Sequence, residues 1–159
     1  MTGGNRVYCI DTSSLLHAWQ RAYPPRRFPG LWAQFDALID AGRLVASLEV
    51  FHELQKKDDD VGKWAKERKE SLFRDIDQDI QDNVVSIMTS YPKLVDTSTG
   101  KSGADPFVIA LAKCPPPSVV VTQEGFGSAK TPKIPFVCQQ EGLKCINLLQ
   151  MIDHEDWVF

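Results

Sequence analysis

Short unbroken apolar runs alternate along this chain with longer stretches whose apolar residues recur every three or four positions. Val7-Tyr8-Cys9-Ile10, Arg43-Leu44-Val45-Ala46, Ser118-Val119-Val120-Val121-Thr122 and Lys144-Cys145-Ile146-Asn147 have the length and composition of buried parallel strands. Between them the spacing predicts helices. One runs from about Ser14 to Arg21 with Leu15, Leu16, Ala18 and Trp19 as its stripe, and another from about Leu31 to Ala41 stops at Gly42. A third, capped by Ser47, carries Glu49 and Glu53. Asp58-Asp59-Asp60 then breaks that helix and caps a fourth, to about Glu70. Ile76, Ile80, Val84 and Ile87 mark a helix over 75–90, and further helices are expected at 105–113, 134–140 and 148–152.

The intervening stretches are loops. Tyr23 to Gly30 holds three prolines, which remove backbone donors and fix φ. Asp96 to Gly103 is rich in Ser, Thr and Gly, and Glu124 to Lys133 is polar with two glycines. Strands separated by helices of about ten residues imply βα units, hence an α/β domain with helices on both faces of a parallel sheet. No internal repeat interrupts the pattern, so residues 1–159 are expected to form a single domain.

Composition adds limits. With 43% hydrophobic and 25% charged residues the chain resembles an ordinary soluble globular domain. Its apolar runs are far shorter than the ~20 residues of a membrane span, and no signal peptide is apparent at its polar start. Cys9, Cys114, Cys138 and Cys145 are scattered, with no Cys-x-x-Cys pair, which fits reduced thiols in a cytoplasmic protein. The net charge of −3 gives no global basic footprint, so a polyanion needs a local patch.

The candidate chemistry lies in acids placed where buried elements end or begin. Asp11 follows the first strand and Glu124 the third; Glu53 rides an apolar helix, and Asp105 opens another. In open α/β sheets ligands bind past the carboxyl ends of the strands. Carboxylates converging there repel one another unless a hard cation sits between them. Such a set is what metal-assisted phosphodiester hydrolysis requires. Each acid also has a simpler reading: Asp11 and Asp105 as helix caps, Glu53 as a solvated helix residue.

Other motifs fail. Thr99-Gly100-Lys101-Ser102 has the end of a phosphate-binding loop but Val95 at its first glycine position, and Asp75-Ile76-Asp77-Gln78-Asp79 lacks the turn glycine and final glutamate of a calcium loop. His17, His52 and His154 have no zinc spacing. Basic residues flank the acids at Arg26, Arg27, Lys56 and Lys57, where a phosphate backbone would find contacts.

Tyr8-Cys9-Ile10-Asp11-Thr12-Ser13-Ser14-Leu15, Ala104 to Ala112 and Val121-Thr122-Gln123-Glu124 fall in the order used by PIN domains, which the chain resembles. It is most similar to a bacterial and archaeal PIN-like family of unknown function, through Tyr23–Trp32 and through Gly142–Leu149. The resemblance implies a three-layer α/β/α sandwich with a central parallel sheet, and a Mg²⁺- or Mn²⁺-dependent endoribonuclease, commonly the toxin of a toxin–antitoxin pair. It implies Asp11, Glu53, Asp105 and Glu124 as metal ligands and catalytic acids, with Thr12, Ser13 and Thr122 orienting them. Glu124 departs from the aspartate more usual at its position. Glu49, one turn before Glu53, is an alternative second acid, although the family spacing after Ser47 favours Glu53. RNA as substrate, an antitoxin protein and a homodimer are the implied partners. Two other readings stay open: an inactive interaction module using Trp157 and Phe159, and a small-molecule phosphatase.

Overall fold

The computed structural model describes residues 5–95 and 103–159. Five strands form its sheet: β1 (Tyr8–Ile10), β2 (Leu44–Ser47), β3 (Phe73–Arg74), β4 (Val119–Val121) and β5 (Cys145–Ile146). They run parallel in the order β3-β2-β1-β4-β5, with Tyr8 paired to Leu44 on one side and Val119 on the other. Every residue of β1, β2 and β4 is buried, as in strands covered on both faces, which is why they read as unbroken apolar runs. The sheet with its flanking helices is the α/β/α sandwich expected from the sequence. The fifth strand, β3, was not expected. Its two residues carry no periodic signal and pair only through Ala46 and Ser47.

Helices α1 (Thr12–His17) and α2 (Pro29–Asp40) match the first two expectations, with two shifts. Residues 18–22 continue α1 as a π-helical turn, and α2 starts at Pro29, because proline at N1 lacks a donor the first turn cannot use. The proline loop before it is pinned by aromatic contacts. Trp32 Nε1 donates to the Tyr23 carbonyl at 2.7 Å, Tyr23 meets Phe28 edge-on at 5.3 Å, and Trp32 stacks edge-on against both Trp19 and Trp64. Helix α3 (Leu48–Lys57) is capped by Ser47, and α4 (Asp59–Glu67) by Asp58, whose carboxylate accepts from Val61 N. A short α5 (Lys69–Leu72) leads into β3.

Asp77 caps α6 (Gln78–Ser90), so that helix begins three residues later than its apolar spacing suggested. Helices α7 (Asp105–Lys113), α8 (Ile134–Glu141) and α9 (Leu148–Glu155) complete the set. Gly142, at φ 73°, ends α8 in the left-handed conformation. Asn147 and Gln150 close a reciprocal capping box at the start of α9. The loop expected at 96–103, including Thr99–Ser102, lies outside the described residues except for Gly103. Among the described residues no helix is long and apolar enough to cross a membrane.

At the N-terminal end of the sheet a buried polar cluster ties α9 to β1 and β2. The Tyr8 hydroxyl donates to Glu155 Oε2 at 2.6 Å, and Arg43 Nη2 donates to the same oxygen at 2.7 Å. Arg43 Nε also donates to the Arg6 carbonyl. Burial, and then the Glu155 hydrogen bond, push the Tyr8 phenol up to about 12, so it stays a neutral donor. Glu155 is 3% exposed. Removing its carboxylate leaves a guanidinium and a hydroxyl without their acceptor, which costs several kcal/mol in a buried setting. Glu155→Ala is expected to lower the unfolding free energy by about 3 kcal/mol in urea titrations, with an unchanged m-value.

Candidate metal centre

The strand order reverses at β1: β2 and β3 lie on one side of it, β4 and β5 on the other. The crevice of such a sheet opens past the C-terminal ends of the two strands that diverge, here β1 and β4. The residues leaving those ends are Asp11 and Thr122, and Asp11 N donates to the Val121 carbonyl at 3.1 Å, which holds the two ends together.

Asp11 is 2% exposed. It is the N-cap of α1, with Oδ1 accepting from Ser14 N at 2.8 Å. The capping reading is therefore correct and incomplete, because the same carboxylate is held from two other elements. Ser13 Oγ lies within 2.9 Å of both its oxygens, and the Thr122 hydroxyl donates to Oδ2 at 2.5 Å. Those hydroxyls are fixed in turn, Ser13 Oγ by Gln123 N and Thr122 Oγ1 by Glu124 N. Burial raises the Asp11 carboxyl to about 6 against these hydrogen bonds, with the Glu124 charge adding to the rise.

Asp105 occupies the first position of α7, followed by Pro106, and it is not the cap. Ala104 is, with no capping side chain. The Asp105 carboxyl is 6% exposed and is pushed up to about 8. Burial is the main cause, followed by the charges of Glu124, Asp11 and Glu53, and a hydrogen bond with Glu124. Glu124, just beyond β4, also accepts from Ile134 N at 3.2 Å, at the first residue of α8. Glu53 arrives from α3, where its Oε1 accepts from the Thr12 hydroxyl at 2.5 Å.

Glu124, Asp11 and Glu53 thus lie close enough to Asp105 for their charges to act on it, with Thr12, Ser13 and Thr122 hydrogen-bonded to Glu53 or Asp11. Glu49 is not among the charges that act on Asp105, whereas Glu53 is. Arg26, Arg27, Lys56 and Lys57 are exposed; the lysines end the helix that carries Glu53. Sequence reasoning did not single out Gln123, whose Oε1 accepts from Leu148 N at 2.8 Å and anchors α9 to the β4 end. Its position beside Thr122 was the only signal.

The donor set fits a hard divalent cation. All four groups are carboxylates, and among the described residues no Lys or Arg pairs with Asp11, Asp105 or Glu124. Among the described residues no three potential ligands are closed around a single ion position.

The family described as a domain of unknown function, DUF4411, matches residues 8–159. No curated protein matches the chain. Among solved structures, the fold is similar to a chain of the crystal structure of VapBC2 from Rickettsia felis bound to a DNA fragment from its promoter. That likeness has a TM-score of 0.55 and 13% identity, and it covers 89% of this chain and 98% of the other. The architecture is accordingly a PIN-like α/β sandwich.

The Thr122 hydroxyl links β4 to the Asp11 carboxylate and receives Glu124 N, so its loss strands two partners. Thr122→Val is expected to cost about 2 kcal/mol of stability by urea denaturation, and Thr122→Ser, which keeps the hydroxyl, less than half of that.

Proposed function

This chain belongs to the DUF4411 family, and on that premise we propose that it is a divalent-metal-dependent endoribonuclease of the PIN kind, acting as the toxin of a toxin–antitoxin pair. The observation that carries the reading is the meeting of four carboxylates from different elements at the switch point of the sheet, two of them nearly inaccessible to water. Burial of uncompensated like charge destabilises a fold, so a site of this kind is retained for what it binds.

In the proposed mechanism Asp11, Asp105, Glu124 and Glu53 hold Mg²⁺ or Mn²⁺. A divalent cation so placed supplies activation of an attacking water and stabilisation of the leaving oxygen. The protein's own contribution is rigidity. Ser13, Thr122 and Ser14 N leave Asp11 little freedom to turn, and Thr12 does the same for Glu53, so the carboxylates face the crevice before substrate arrives. Phosphates of the RNA backbone are drawn in by exposed Arg26, Arg27, Lys56 and Lys57, local positive charge on a chain whose net charge is −3. The mechanism uses water as the nucleophile and needs no covalent intermediate; Ser13 and Thr12 serve as donors that hold the carboxylates.

The partner is proposed by likeness. The Rickettsia felis neighbour is a VapBC2 assembly on promoter DNA. An antitoxin for this chain would mask the acidic crevice, and a small adjacent reading frame with a DNA-binding motif would support the pairing. A homodimer, as in many PIN proteins, is the proposed assembly.

Two measurements test the chemistry. Wild-type protein is expected to cut a mixed RNA pool with Mn²⁺ and to stop on addition of EDTA, while Asp11→Asn loses at least about 100-fold in rate without unfolding. Thermal melts provide the second. Mn²⁺ at about 100 times its Kd adds about 2.7 kcal/mol, several degrees in Tm for a chain of this size, and Asp11→Asn removes the shift. Metal-independent cleavage, or wild-type cleavage by Asp11→Asn, overturns the proposal. A folded protein with no Mn²⁺ shift and no cleavage is the inactive interaction module.

A further inference from the structure

Beside the acidic crevice, past the ends of β4 and β5, lies a small cavity of about 190 Å³ lined by Thr122, Glu124, Phe126, Pro135, Asn147 and Gln150, among others. It is continuous with the candidate centre, since Thr122 and Glu124 belong to both. Its volume is below the ~300 Å³ at which sites for a whole ligand begin, so it takes one fragment of something larger.

Its walls define the fragment. Phe126 is 51% exposed at the rim, and its ring is fixed edge-on against Phe136 at 5.5 Å. A lone exposed phenylalanine is ordinary. This one sits on a stiff loop. The Phe126 carbonyl accepts from Phe136 N, and Gly127, at φ 79°, lies so close to the opposite strand of the loop that a Cβ there would fall 2.7 Å from the Thr131 carbonyl oxygen. The ring is therefore presented to the cavity and not free to fold away, as in the aromatic platforms on which single-stranded bases stack.

The two amides on the wall share one hydrogen-bonding sense. In the capping box of α9, Asn147 Oδ1 accepts from Gln150 N at 2.9 Å and Gln150 Oε1 accepts from Asn147 N at 2.8 Å. Both side-chain oxygens are committed to backbone donors, which fixes each amide orientation without ambiguity. Both residues are exposed, and among the described residues neither NH₂ group has a hydrogen-bond partner. Glu124, on the same lining, turns its carboxylate to Ile134 N and to the candidate metal, so the free donors of this wall are the two amides, which match bases that offer acceptors. Guanine presents O6 and N7, and uracil its keto oxygens, whereas adenine and cytosine place an amino group at the equivalent edge.

We propose that this cavity is a nucleobase subsite next to the scissile phosphate, where Phe126 stacks a base and Asn147 and Gln150 select a keto base, guanine or uracil. The proposal rests on the ribonuclease reading, and it supplies that reading with a substrate preference.

The test uses nucleosides, which carry no phosphate and so need no metal to bind. Inosine, uridine, adenosine and cytidine are titrated into the labelled protein and followed by NMR at the Asn147 and Gln150 side-chain amides. Inosine and uridine are expected to bind about tenfold more tightly than adenosine and cytidine. Asn147→Asp and Gln150→Glu keep the oxygens that cap α9 and exchange the donor for an acceptor, so the fold survives. In both variants the keto-to-amino ratio is expected to fall to about one or below, and Phe126→Ala to weaken all four nucleosides alike. Equal binding of the four nucleosides, an amino preference, no perturbation of these amides, or a ratio untouched by both substitutions overturns the proposal. Nucleoside selectivity without RNA cleavage removes the nuclease reading alone; RNA cleavage without nucleoside selectivity removes the subsite alone.

Discussion

Taking the Asp11 carboxylate out of water costs several kcal/mol unless other donors replace its hydration, and much of the structure around the crevice is arranged to replace it. A backbone N–H from α1 and hydroxyls from Ser13 and Thr122 reach its two oxygens, and each hydroxyl is itself oriented by a backbone N–H from the β4 exit. This network requires β1 and β4 to be neighbours in register, since only then do residues 111 positions apart in sequence meet at 2.5 Å. The strand order of the sheet and the chemistry of the crevice are thus a single constraint.

The two ends of the sheet solve buried negative charge in opposite ways. At the N-terminal end Glu155 is neutralised from within, by Arg43 at 2.7 Å, and a tyrosine that stays protonated completes its shell. At the C-terminal end the carboxylates receive hydroxyls and amide protons, which orient charge but do not cancel it. Arg43 leaves Glu155 a closed ion pair, a device that ties α9 to the sheet. Around the crevice, burial first and then the neighbouring acids raise the carboxyl groups of Asp11 and Asp105. A fold that can place an arginine on a buried glutamate, and places none on Asp11 or Asp105, supports the reading of the latter pair as ligands for a cation from outside.

Much of this was legible in the sequence, because the carrying signals are local. Asp11 and Glu124 stand one and three residues beyond strands whose apolar runs are unbroken, and Asp105 opens an apolar helix, so each acid could be located from its own neighbourhood. The choice between Glu49 and Glu53 could not, since both lie on one helix a turn apart; the hydrogen bond from Thr12 of α1 to Glu53 is a contact that no spacing in the sequence shows. β3 escaped because two residues have no period, and the start of α2 moved because proline at N1 is as favourable as any earlier loop position. The Tyr23–Trp32 segment reads as a family signature, yet its reason is only physical in three dimensions, where Trp32 closes the proline loop through the Tyr23 carbonyl. Cross-chain hydrogen bonds such as Tyr8 to Glu155, 147 positions apart, leave no trace in a single sequence.

The loop from Gln123 to Lys133 joins these strands of argument, because it serves three structural duties within a few residues. Gln123 fastens the start of α9, Glu124 fastens the start of α8 while facing Asp105, and Gly127 turns the chain so tightly that Phe126 is held at the surface. A flexible loop would let Glu124 swing away from the like charges beside it, which electrostatics alone favours. Two helix starts and a turn that admits no Cβ oppose that motion. The same rigidity that keeps the carboxylate in the crevice fixes the aromatic ring a few residues on. Position for chemistry and position for recognition are therefore set by one piece of backbone, and altering the loop's length would disturb both together.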